Sequence, residues 1–192
     1  MGVVDLDYSL LRQTARGDQR AFAELMRRHQ NRVYRLAQRL LRDPLEAEDA
    51  AQEVFLKVYT HAVDFRPTGT VAAWVNRITA NHCLNRLRSL DAQRQVSWDT
   101  PVPRSSDADY RETFPSTDPN PLQNLEEQEL AERIQAALDA LPENQRQAVI
   151  LKRFGELSYQ EIAEVLGLST GAVDGLIKRA RNNLKKALQD YF

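Results

Sequence analysis

The chain has 192 residues, of which 42% are hydrophobic and 28% charged, and its formal net charge is -1. That length fits one generous domain or two small ones, and the apolar content excludes a disordered chain because it is enough to pack cores. No apolar run approaches the ~18 to 20 residues that cross a bilayer, the single Cys83 has no internal disulfide partner, and Met1 to Leu11 lacks the basic and apolar segments of a signal peptide, so a cytoplasmic protein without direct membrane insertion is expected.

Seven glycines and apolar residues at helical rather than alternating spacing predict an all-α fold. The first apolar stripe runs through Phe22, Leu25, Met26, Val33, Leu36, Ala37 and Leu40, with Arg28, Arg32, Arg35 and Arg39 between them, as in an amphipathic helix. Asp43-Pro44 then supplies an N-cap followed by proline at the first helical position, and Ala47, Ala50, Ala51, Val54, Phe55 and Val58 continue at 3.6-residue spacing. After a loop over Phe65 to Gly69, Val71, Trp74, Val75 and Ile78 open a third helix that extends to about Leu90. These three helices form an N-terminal domain over 1–92.

From 93 to 125 the periodicity fails. Five of the eight prolines fall there, along with Asp99, Asp107, Asp109, Glu112 and Asp118, so a flexible, acidic, Pro-rich linker is expected. Helical spacing resumes with Leu130, Ile134, Ala137, Leu138 and Leu141, stops at Pro142, and restarts through Gln145 to Phe154, which places a second small domain over 126–192. Ser158-Tyr159-Gln160-Glu161 fits a capping box, so a new helix starts at Tyr159.

The run from Ser158 to Leu188 has the grammar of a helix-turn-helix. Ala163 permits close helix approach, Gly167 can take the positive φ that the turn needs, and Ser169 can cap the second helix. On that helix Val173, Leu176, Ile177, Ala180, Leu184 and Leu188 are expected to face inward. Gly171, Asp174, Gly175, Lys178, Arg179, Asn182, Lys185 and Lys186 are expected outward. Small residues at the leading end allow entry into a DNA major groove, and the cations behind reach phosphates. The plainer account, a helical hairpin with a solvated lysine face, explains neither the turn nor the cap.

Charge placement supports that reading despite the near-neutral total. Between Thr70 and Leu90 lie Arg77, Arg86 and Arg88 with no acid, and between Thr170 and Leu188 five cations face only Asp174.

Here a family resemblance enters. Leu141-Pro-Glu-Asn-Gln-Arg-Gln-Ala-Val-Ile-Leu-Lys-Arg-Phe154, followed by Leu157-Ser-Tyr-Gln-Glu-Ile-Ala-Glu-Val-Leu-Gly167, resembles sigma region 4 of the extracytoplasmic-function (ECF) sigma factors. The N-terminal half resembles sigma region 2 through Gly17 to Phe22, Glu48 to Phe55, and Phe65-Arg66 followed by Trp74, Arg77-Ile78 and Asn81. Two ordered motif sets are far more specific than one helix-turn-helix.

The resemblance implies a factor that binds core RNA polymerase, directs it to promoter DNA and opens the minus-10 element. The minus-35 element would be read as duplex by Thr170, Gly171, Asp174, Gly175, Lys178, Arg179 and Lys185. Melting needs a basic track with aromatic and amide groups for unstacked bases; Phe65, Arg66, Trp74, Arg77, Asn81, Asn85 and Arg88 supply those types, with Arg86 beside them. Trp74 also lies on the Val71-Trp74-Val75-Ile78 stripe and so equally suits the core. Glu46, Asp49, Gln52 and Glu53, with Glu48, would dock on the clamp helices of the beta-prime subunit, although a solvated face near a helix N-terminus is the bland alternative. Region 4 would engage the flap of the beta subunit, and a separate anti-sigma factor would restrain the whole. Asp174 departs from the basic or small residue frequent in the family; it repels phosphates but can accept from cytosine N4.

Other classes fare less well. His29, His61, His82 and Cys83 show no ligand spacing and suit surface or core-edge roles, and neither a phosphate-binding glycine loop nor a hydrolase nucleophile motif occurs. No catalytic residue, metal, cofactor or small-molecule substrate is therefore expected. The runner-up is a stand-alone helix-turn-helix regulator that binds its operator without polymerase; a pure interaction protein is more distant. Two small basic surfaces on a tether predict weak duplex binding alone and strong promoter binding once polymerase fixes their separation.

Overall fold

The computed structural model describes residues 6–66, 69–96 and 121–189, and every regular element among them is a helix. Most of the expected linker, 97–120, and the loop residues 67–68 lie outside the described residues.

The N-terminal half holds α1 (Leu6–Thr14), α2 (Gln19–Leu41), α3 (Pro44–His61), a 3-10 turn (Ala62–Asp64) and α4 (Val71–Val96). Helix α1 is additional to the three predicted. It buries Leu10, Leu11 and Thr14, and Asp7 pins it to α2 by accepting from Arg28 Nε at 2.6 Å and His29 Nε2 at 3.0 Å. His29, expected at a surface or core edge, is consequently buried. Caps set the other starts. The Asp18 carboxylate accepts from the Arg20 and Ala21 amides ahead of α2, and Asp43 does the same for Leu45 and Glu46 ahead of α3, with Pro44 in the first turn as expected. Helix α4 continues past Leu90 to Val96. Leu25, Val33, Val54, Val58, Val71 and Val75 form the fully buried centre of this half.

The C-terminal half holds α5 (Pro121–Asp139), α6 (Glu143–Arg153), α7 (Tyr159–Leu166) and α8 (Thr170–Ala187). Towards its end α5 meets α8, where Leu138, with Leu141 just beyond the helix, packs with Ala180. Leu130 and Ile134, expected inward, stay more than a third exposed because that stretch stands off the small core.

The two halves do not stand apart. One apolar cluster runs from Leu36, Leu40, Ala80 and Cys83 to Leu151, Leu157, Ile162 and Val173. At its edge Arg146 of α6, 2% exposed, sends Nη1 to the Arg39 carbonyl (2.8 Å) and Nη2 towards that of Leu40 (3.4 Å). Those carbonyls belong to the last turn of α2, which lacks intrahelical donors, so a cation from the other half caps this helix and complements its dipole. Glu143 braces the guanidinium at 2.7 Å. The buried Asn76 of α4 donates Nδ2 to the Gly155 carbonyl at 2.7 Å, and the Arg39 guanidinium lies 3.8 Å from the Phe154 ring centre. Arg32–Glu156, Arg42–Asp139 (3.1 Å) and Arg77–Glu164 (3.6 Å) ion pairs complete the seam.

Candidate promoter-binding surfaces

The turn between α7 and α8 is built as its sequence suggests. Ser158 Oγ accepts from the Glu161 amide at 3.2 Å while the Glu161 carboxylate accepts from the Ser158 amide at 2.8 Å, closing the capping box. Gly167 sits at φ 68°, a left-handed conformation that a side chain would strain, and Ser169 Oγ accepts from the Ala172 amide to start α8. Val173, Ile177 and Ala180 are buried, with Leu176, Leu184 and Leu188 partly so. Asn183 Nδ2 donates to Gln145 Oε1 at 3.0 Å and fixes the rear of α8 on α6.

The opposite face is open. Thr170, Gly171, Lys178, Arg179 and Lys185 are exposed, and Asp174 and Gly175 partly so. A Cβ on Gly171 would meet nothing within 4 Å, whereas one on Gly175 would lie 3.4 Å from Arg179 Nη1. Asp174 Oδ2 and Lys178 Nζ form an ion pair at 2.7 Å, one turn apart, and this contact holds the Lys178 ammonium above its ordinary pKa. The helix tip is therefore slim, with one charge pair on it and cations behind.

On α4, Trp74, Arg77, Asn81, Asn85 and Arg88 recur every three or four residues and so share one helix face. Asn81, Asn85 and Arg88 are exposed, and the Asn85 side-chain oxygen accepts from Arg88 Nη1 at 3.1 Å. Arg77 instead meets Glu164 of the helix-turn-helix. Trp74 and Phe65 are partly buried, their rings edge-on at 5.3 Å with Tyr8 next to Phe65, so both aromatics serve the core as well as the surface. Arg66 is exposed at the start of the loop.

The acidic face of α3 is divided. Glu46 takes two hydrogen bonds from Arg86 of α4, at 2.7 and 3.0 Å, which hold the guanidinium above its ordinary pKa. Glu48, Asp49, Gln52 and Glu53 stay exposed, with Leu45 and Leu56 bare on the same helix. Among the described residues no group of His, Cys, Asp and Glu is placed to hold a metal ion, and no helix is long and apolar enough to cross a membrane.

Residues 25–93 match the Sigma-70 region 2 family and residues 131–184 match Sigma-70, region 4. The ECF RNA polymerase sigma factor SigW of Bacillus subtilis is 31% identical over 180 residues, covering 94% of this chain and 95% of that protein. The chain belongs to the ECF RNA polymerase sigma factors. SigE of Mycolicibacterium smegmatis is 39% identical over 177 residues, but there the match spans 91% of this chain and only 65% of the longer relative. Among solved structures, CnrH in complex with the cytosolic domain of CnrY superposes with a TM-score of 0.62 at 28% identity, covering 98% of this chain and 100% of that one. The sigma factor RpoE of Bartonella quintana, in complex with the anti-sigma factor NepR, gives 0.67 over 89% and 98% at 23% identity and shares the fold. As an ECF sigma factor the chain is an alternative specificity subunit that directs transcription initiation.

Sequence reasoning did not foresee the seam. Asn76 reads as an ordinary α4 residue between Val75 and Arg77, and the acceptors of Arg146 are backbone carbonyls more than 100 positions away, which no local pattern signals.

Proposed function

We propose that α8 reads the minus-35 element through Thr170, Gly171, Asp174, Gly175, Lys178, Arg179 and Lys185, while the α4 face and the preceding loop hold the opened minus-10 strand. The observation that carries this is the single line of Trp74, Arg77, Asn81, Asn85 and Arg88 along α4, which offers amide and guanidinium groups at the spacing of one helix face. Unstacked bases are bound by such groups and by aromatic faces, and Phe65 and Trp74 stand at the end of the line. Duplex reading suits α8 because its tip is small and its cations lie further along, where phosphates flank the groove.

Asp49, Gln52 and Glu53, exposed on α3, form the docking face for the beta-prime clamp helices, with Glu46 committed to Arg86 in the free chain. Region 4 contacts the beta flap. An anti-sigma factor restrains the protein, a reading supported by the anti-sigma complex of the Bartonella relative. The chain acts in the cytoplasm, and RNA synthesis belongs to the polymerase.

Run-off transcription with purified core polymerase tests the assignment. Paired Asn81→Ala and Arg88→Ala substitutions should lower open-complex formation at least tenfold, and a premelted minus-10 template should recover part of the loss. Equal loss on premelted and closed templates would point to damaged polymerase docking instead.

A further inference from the structure

We infer that Asp174 and Lys178 act together as a reader of one C·G base pair in the minus-35 element, an inference that rests on α8 entering the major groove. The pair places a carboxylate acceptor and an ammonium donor side by side, 2.7 Å apart, on the outward face of the second and third turns of α8. Gly171, three residues before Asp174 on that face, carries no side chain and a Cβ there would meet nothing within 4 Å, so the carboxylate is open to a base edge from that side, while the Arg179 guanidinium lies over Gly175 on the other. In the major groove cytosine offers its N4 amino donor next to guanine O6, with guanine N7 beyond. The carboxylate accepts from N4 and the ammonium donates to O6 and N7. An A·T pair gives the ammonium one purine acceptor rather than two and sets the thymine methyl against a charged group.

Asp174→Asn supplies a critical test because asparagine pairs with the adenine N6 and N7 edge. In a promoter library transcribed with core polymerase, the variant should move the preference at one minus-35 position from C·G to A·T, by about 5- to 150-fold. Lys178→Gln should weaken discrimination at that same position. A wild-type chain that initiates from no template would sink the underlying reading. A working wild type whose variant keeps every base preference, or loses activity equally on all sequences, would overturn this inference alone.

Discussion

Gly155 shows how much a single atom can cost at a seam. It is buried at the end of α6, and a Cβ there would lie 2.6 Å from the Leu151 carbonyl oxygen, a backbone atom that cannot swing aside. Gly155→Ala should therefore destabilise the chain by about 1–3 kcal/mol through overpacking, a fall in Tm of roughly 2–4 °C per kcal/mol for a chain of this size. An unchanged melting curve would show that α6 relaxes freely. His82 gives a pH-dependent counterpart. Lys57 Nζ donates to its Nδ1 at 2.8 Å, and burial first, then the Lys57 charge, pushes its pKa below the ordinary 6.5, with Glu53 opposing and Arg86 assisting. The unfolded chain then binds the proton more readily than the folded one, so this contribution is complete above pH 6.5 and is lost as pH falls through the depressed folded value. Thermal melts from pH 7.5 to 5 should show a decline that is smaller in His82→Gln.

At the scale of elements, helix ends carried the readable signal. Asp43-Pro44, Ser158 with Glu161, and Ser169 each announce a start through a side chain that serves its own backbone within three residues, so sequence alone suffices. Ser158→Ala should cost about 1 kcal/mol, and because α7 supports α8 it should weaken duplex binding as well as lower Tm. Helix α1 was less legible because it is only nine residues long and its anchor, Asp7, depends on Arg28 and His29 about two dozen positions away. The candidate site divides the same way. The outward face of α8 follows from its apolar period, whereas the commitment of Glu46 to Arg86 and of Arg77 to Glu164 arises from tertiary contacts between charged residues that are individually ordinary.

For the whole molecule, the decisive matter is that two regions separable in sequence share one apolar cluster. A tether alone would let each half melt on its own, whereas a shared core couples them into one cooperative transition. The exposed ion pairs at the seam contribute little, roughly 0–1 kcal/mol each. Coupling must come from the apolar contacts and from Arg146, whose removal strands the last-turn carbonyls of α2 away from their donor at a cost of about 1–3 kcal/mol. Scanning calorimetry of the wild-type chain should thus give a single peak whose calorimetric and van't Hoff enthalpies agree. Arg146→Ala, or Asn76→Ala with its lost bond to Gly155, should split that peak into two and raise duplex binding by the free chain as the halves separate. A wild-type chain that already melts in two independent steps would mean that the common core does not bind the halves together in solution.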